Sequence, residues 1–533
     1  MNRVENSSTG KLTRATIMIA FFSILAKIAG LLRDRVLAGT FGAGETLDVY
    51  YAAFRVPDTV FNLLVLGVLS AAFIQVLATA VREQKERAAN LTGSVLTAVT
   101  AATGVLAGVL VVFAPILVSL IVPGFSEAQQ IETVKLTRIM LLSPIFFGIS
   151  SVLSSVLNTY RRFALVAAVP IVYNLAIMFG AIVLYPKFGI SGLAWGVVLG
   201  AFLHMALQVP GVWRLGFRRL AFNLSDPLVR LVGKLYVPRA FGMGGLNQIS
   251  FVITAIIGSG LTAGSIAIYN LANNLQIVPV SVLAISFATV AFPILSEAFA
   301  RGDKKSFMEV FNINLSQILF LIIPLSALML VLRAQIVRLV LGAGAFGWAD
   351  TIRTIDAFSL LVISLFAQSL IPLLSRAFYA LRNTLIPVIA GFVAAGVNIF
   401  AALMLVGRME VAGLAVAFSI AAVVNVVILF VALEFKFGNL VDSELVFKIE
   451  KILIATIVAS TAAYATLFGV DPFLDTRTAL GLLLQGIAAG IVGISVYLIL
   501  GYIFKIPESR HLMTAGKNWL NKIRSAFIKT PEL

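Results

Sequence analysis

Cysteine is absent from the 533-residue chain, which removes disulfides and thiolate metal sites from consideration. Only two histidines occur. His204 falls in an apolar run and His511 in a basic tail, so neither an imidazole metal centre nor a cofactor is expected. Charge is scarce as well: 12% of residues are Asp, Glu, Lys or Arg, where soluble domains hold about 25%. No nucleophile–base pair stands out, so the chain does not read as an enzyme. Strict apolar–polar alternation is missing too, which excludes a β-barrel.

What is present is overwhelmingly apolar. Hydrophobic residues make up 60% of the chain, and the mean hydropathy is +1.02. A bilayer-spanning helix needs about 20 such residues, and the long runs give about fourteen spans, from 14–38 and 47–80 to 447–468 and 478–504. The fold class is therefore an all-α polytopic membrane protein. Ile336–Phe346 is too short to span and reads as interfacial. Arg3, Lys11 and Arg14 precede the first apolar run in the manner of a signal peptide. Lys27 interrupts that run and no small-x-small site follows, so a retained first span is expected.

The net charge of +16 is first a topology signal. With the N-terminus inside, 28 of the 40 cations fall in inner loops and tails and 6 in outer loops, which places both termini in the cytoplasm. Nucleic acid is not an expected partner. The segment around Arg214, Arg218, Arg219 and Arg230 is expected to lie along anionic lipid headgroups. In the tail, Trp519, Ile523 and Phe527 recur at i, i+4, i+8, the pattern of an interfacial amphipathic helix.

An internal duplication is legible. Gly192-Leu193-Ala194 recurs as Gly413-Leu414-Ala415, and Arg161 in LNTYRR recurs as Arg382 in YALRNT. Six spans per half, an even number, give both halves the same orientation about an axis along the membrane normal. The division is a first lobe at 1–225, a second at 226–440, two further helices at 441–505 and a basic tail at 506–533. A monomer is expected.

The chemistry concentrates between Lys27 and Asp58. A charge at the centre of a membrane helix costs at least about 2.5–3.5 kcal/mol, so such a residue is a functional candidate by default. Lys27 and Asp34 are seven apart and share a helix face. Asp48, Tyr51, Arg55 and Asn62 form a second polar stripe, and Pro57 kinks the helix just beyond Arg55. Guanidinium groups in a partly dehydrated cavity suit phosphate oxygens. The candidate substrate-binding residues are Lys27, Arg33, Asp34, Asp48 and Arg55. Plainer readings stand beside this one. Arg33, Asp34 and Arg35 can snorkel at a span end, and Arg55 can pair with Asp48 or Asp34 for structure alone. The FGAG run at 41–44 reads as a turn, and Asn174, Asn247 and Asn398 as interhelical hydrogen-bond partners.

The run RDRVLAGTFGAGETLDVYYAAFRVPD resembles the first-to-second-helix signature of the MurJ (MviN) family, lipid II flippases of the multidrug/oligosaccharidyl-lipid/polysaccharide exporter superfamily. The resemblance is carried by Arg33-Asp34, Phe41-Gly42-Ala43-Gly44, Asp48, Ala53-Phe54 and Pro57, with support from Pro123-Gly124-Phe125 and Leu157-Asn158-Thr159. It covers nearly the whole chain. It implies alternating-access export of an undecaprenyl-pyrophosphate-linked peptidoglycan precursor across the bacterial inner membrane. Family cations would fall on Lys27 and Arg33 and family acids on Asp34 and Asp48. The last two helices would form a groove for the lipid tail. The sequence departs from the pattern at Phe61, where the family has an arginine, at Leu66, where it has a glutamate, and at Asn273-Asn274, where it has an Asp-Arg pair. An exporter of another lipid-linked saccharide and a non-transporting membrane scaffold are the alternatives.

Overall fold

A computed structural model describes residues 2–64, 68–217, 221, 223, 225–234, 245–438, 440 and 443–510. Leu66, Arg218, Arg219 and the tail with Trp519, Ile523 and Phe527 lie outside the described residues. Within them the chain is helical and contains no strand. Among the described residues ten helices are long and apolar enough to cross a membrane. The pair Trp348–Ile363 and Leu365–Ala380, bent by 44°, adds up to one more.

Two of the expected spans break beside a proline, whose ring displaces the carbonyl four residues earlier. Within the expected 47–80 span the described residues form Glu45–Ala53, Arg55–Leu64 and Val68–Glu83. A break falls at Phe54, since Pro57 displaces the Ala53 carbonyl, and the Thr137 hydroxyl approaches that oxygen at 3.4 Å. The 133–158 span is likewise two helices, Glu127–Met140 and Ser143–Thr159. Here Pro144 frees the Met140 carbonyl, and the Ser143 hydroxyl donates to it at 2.7 Å.

Two helix ends that the sequence pairs share a backbone motif, which also closes the last helix at Lys505, with a φ of 58°. Helix Ser143–Thr159 and helix Leu365–Ala380 end in the same motif, with Arg161 and Arg382 each at a φ of 58°. In the first, Arg162 N–H reaches the Leu157 carbonyl at 2.8 Å, and in the second Asn383 N–H reaches Phe378 at 2.9 Å. These are the six-to-one bonds of a Schellman terminus, with arginine at the left-handed position that glycine usually fills.

Two compact units are distinguishable. One comprises 1–271, 340–353 and 402–414, and the other 272–339, 354–401 and 415–533. The first has a core of Phe73, Leu77, Leu91, Val152, Val156, Leu157 and Val212. In a bilayer such packing stabilises through close contact rather than escape from water. The second unit gathers Phe320, Ile452, Ala459, Tyr497 and Ile506, and the Tyr497 hydroxyl donates to the Phe320 carbonyl at 2.7 Å.

Just past the last helix, Ala479–Ile503, Glu508 fastens the chain back onto the second unit. Its carboxylate accepts from Lys448 and from Ser316, both at 2.7 Å. Burial pushes the Glu508 carboxyl up, but the Lys448 and Ser316 hydrogen bonds outweigh it and hold it below its ordinary value of 4.5. A depressed carboxylate stabilises the fold above its unfolded pKa, and that contribution is lost as pH falls through the folded value. Glu508→Gln is therefore expected to lower stability at pH 7 by about 1–3 kcal/mol. In thermal unfolding of the detergent-solubilised protein, the gap to wild type should close as pH falls below 4.5. A gap that stays constant through that range would refute the assignment.

Candidate functional site

The first helix, Asn2–Phe41, stops at Gly42, whose φ of +65° turns the backbone into the left-handed region that glycine tolerates. The expected turn at 41–44 is therefore present, and it delivers Asp48 one turn into Glu45–Ala53. Asp48 is buried. Its two carboxylate oxygens accept from Gly264 N–H at 2.6 Å and Ala267 N–H at 2.7 Å. Those amides open helix Ser265–Pro279 and would otherwise lack partners. Asp48 thus caps a helix more than 200 residues downstream and lays a carboxylate on the positive end of its dipole.

Further contacts reinforce that junction, all within the first unit. Ala43 N–H donates to the Asp350 carboxylate at 3.3 Å. Arg353 donates to the Ala263 carbonyl at 3.1 Å and the Ser265 hydroxyl at 2.9 Å. The Thr262 hydroxyl donates to Glu410 at 2.8 Å. Gly264 has a φ of +87° and its α-carbon lies so close to the Ala43 carbonyl that no β-carbon fits.

Two turns deeper, Arg55 begins the helix Arg55–Leu64 and is buried to 5% exposure. Its guanidinium donates to Asn270 Oδ1 at 2.6 Å and stands 5.2 Å from the centre of the Phe251 ring, within cation–π range. Asn270 is itself oriented by donating to the Ile266 carbonyl at 2.7 Å. Arg55 Nε and the Tyr51 hydroxyl are buried without a hydrogen-bond partner among the described residues. Buried polar atoms are nearly always paired, so two orphans in one place call for an explanation.

Arg33 closes on Asp34 through two hydrogen bonds, at 3.0 and 2.7 Å. Asp34 is buried at 3% while Arg33 keeps 22% exposure. Tyr50 and Tyr51 lie within electrostatic range of Arg33, and Asp58 lies within range of both Arg55 and Arg33. Of the five expected residues, the structure pairs Arg33 with Asp34 and sets Arg55 within reach of the same acid, Asp58. Asp48 lies at the helix junction, and Lys27 is exposed.

Asp58 and Asn270 were not among the expected residues. Asp58 had a signal, an acid directly after Pro57, whereas a lone amide in an apolar helix had none. Asn62 donates back to the Asp58 carbonyl at 2.8 Å, and Asn174 to the Pro170 carbonyl at 2.9 Å. The bond from Asn174 therefore runs within its own helix rather than between helices, because its own helix offers the carbonyl four residues back.

Two positions that depart from the family pattern, Phe61 and Asn273, make neutral contacts. Phe61 packs on Phe147 with ring centres 4.9 Å apart. In the second unit, Gln276 donates to Asn273 at 3.1 Å and to Gln368 at 3.0 Å. Gln368 donates on to the Ser364 hydroxyl at 3.0 Å. Among the described residues, no group of three or more His, Cys, Asp or Glu side chains could hold a metal ion.

A family model described as Lipid II flippase MurJ matches residues 37–474. The lipid II flippase MurJ of Burkholderia cenocepacia is 28% identical over 436 residues, covering 79% of this chain and 84% of that protein. The probable lipid II flippase MurJ of Thermotoga maritima is 28% identical over 515 residues, covering 95% and 99%. A solved lipid II flippase MurJ in an inward closed conformation superposes with a TM-score of 0.76 at 25% identity, over 93% of this chain and 100% of that one. An inward-facing MATE family transporter of the MOP superfamily shares the fold, with a TM-score of 0.65 at 14% identity over 80% of this chain.

Proposed function

This chain belongs to the lipid II flippase MurJ family, and from that premise we propose that it moves lipid II across the bacterial inner membrane by alternating access. It is a transporter rather than an enzyme. The observation that carries the reading is the half-shielded cationic cluster, in which Arg33 is partly exposed beside Asp34 and buried Arg55 has an unpaired Nε. A pyrophosphate offers an oxygen to the orphaned Arg55 Nε and competes with Asp34 for Arg33, and planar guanidinium forks suit it better than an ammonium.

Binding and movement are linked through Arg55. Its bond to Asn270 ties helix Arg55–Leu64 to helix Ser265–Pro279, and Asp48 ties the preceding helix Glu45–Ala53 to the start of the same helix. A pyrophosphate that draws Arg55 away from Asn270 weakens the closed state and leaves the open state untouched. That difference in affinity is what a ligand needs to shift a two-state equilibrium. Asp48 acts in this account as a latch on the moving junction rather than as a substrate contact. Lys27 stands apart as a first contact for the headgroup.

The remaining architecture follows the same reading. Fourteen spans form two six-helix lobes at 1–225 and 226–440, with both termini in the cytoplasm and basic loops on anionic lipid. The monomer suffices. Helices Ser443–Val470 and Ala479–Ile503 expose Ile457, Phe468, Ile491 and Ile494, a surface along which the polyprenyl tail lies.

Reconstitution with fluorescent lipid II tests the function. Wild-type protein should carry the label across the proteoliposome membrane, and Arg33→Gln should slow it by about tenfold, the worth of one charge-assisted hydrogen bond. A folded wild type that moves another lipid-linked saccharide but not lipid II would overturn the substrate, and the neutral residues Phe61, Asn273 and Asn274 make that the comparison to run.

A further inference from the structure

A cavity of about 440 Å³ lies within the first unit, away from the Arg33–Arg55 cluster. Its polar wall is Arg161, Arg162 and Arg214, and its apolar wall includes Met18, Leu157 and Leu165. All three arginines are exposed, and none forms an ion pair among the described residues.

Two further observations say what the cavity suits. Phe163, Ala164 and Leu165 line it, and they are the first turn of the 17-residue helix Phe163–Phe179, whose N-terminus carries no side-chain cap. Unpaired amides and the positive dipole end at a helix start favour an anion, phosphate above all. The cavity also sits at the ends of three candidate membrane spans. Glu127–Thr159 and Ser191–Arg214 finish there and Phe163–Phe188 begins there. This is the depth of the headgroups, and Trp213, 55% exposed, is a residue type enriched at that level.

We infer that this cavity seats the phosphate of an anionic membrane lipid, held by Arg162, Arg214 and the start of helix Phe163–Phe179, with the acyl portion against Met18 and Leu165. The inference rests on the membrane-spanning reading and stands whether or not the chain transports lipid II. The same chemistry could come from a resident glycerophospholipid or from a polyprenyl pyrophosphate approaching the transporter.

Native mass spectrometry of the full chain in detergent, titrated with phosphatidylglycerol, tests it. Three variants are compared with wild type. R162Q/R214Q removes two of the three cations, A164W fills the cavity and keeps all three, and K304Q/K305Q removes two exposed cations elsewhere. The expected result is a weakening of about tenfold or more in the first two and less than about twofold in the third. Undecaprenyl pyrophosphate that displaces phosphatidylglycerol at a lower concentration assigns the site to a polyprenyl lipid; a failure to displace it assigns the site to the resident phospholipid. Equal weakening in R162Q/R214Q and K304Q/K305Q, with none in A164W, would mean diffuse surface attraction and overturn the proposal. Displacement of the lipid by an equal concentration of inorganic phosphate would overturn it as well.

Discussion

Gly264→Ala is expected to open the helix junction and raise the labelling rate of a cysteine introduced at Ala43 by at least about tenfold. The chain has no cysteine of its own, so the introduced one is the sole target, and Ala43 is buried. At Gly264 the φ of +87° and the Ala43 carbonyl together leave no place for a β-carbon. The segment must shift, and the shift carries both amides away from the Asp48 carboxylate. A hydrogen bond to a charged group contributes about 1.5–3 kcal/mol, and about 1.4 kcal/mol is already tenfold in an equilibrium. Asp48→Asn should move labelling the same way by a smaller factor, since the amide keeps one acceptor and loses the charge. Unchanged labelling in Gly264→Ala would show that the junction does not guard Ala43.

The second large effect is expected at Arg55. Arg55→Gln should slow lipid II flipping by at least about tenfold, and Arg55→Lys should fail to restore it, because an ammonium cannot fork to two oxygens or lie flat over a ring. Either variant loses the planar fork that reaches the Asn270 acceptor at 2.6 Å, and Arg55→Gln also removes the cation from the Phe251 face at 5.2 Å. A purely structural Arg55 would lower thermal stability in proportion and leave binding of a soluble pyrophosphate headgroup unchanged. The transport account instead requires that headgroup affinity fall along with flipping. Full flipping by Arg55→Lys would contradict the role of the planar fork.

Composition alone was enough for a helical membrane protein, because scarce charge and long apolar runs leave few other solutions. Pro57 announced a break, and the break arrived three residues early for a reason that sequence can supply: the displaced carbonyl is that of Ala53. Site geometry was less legible. A seven-residue spacing says which face Asp48 occupies but not what meets that face, and its partners Gly264 and Ala267 come from a distant helix start. Asn270 was invisible for a similar reason. Its role depends on Arg55 arriving from 215 residues away, whereas the family pattern on that helix marks Asn273 and Asn274, where it carries charge. Arg161 and Arg382, paired by spacing, share a left-handed backbone, as does Lys505, and nothing in their sequence context signals it.

The central claim is that the junction between residues 42–48 and residues 262–267 must part in every transport cycle. A double variant with cysteines at Ala43 and Ala263, joined by a short reducible bismaleimide, tests it in proteoliposomes loaded with labelled lipid II. The account predicts that the cross-linked protein is inactive and that reductant restores flipping to the rate of the unlinked variant. Flipping that continues at an unchanged rate through the intact cross-link would contradict it.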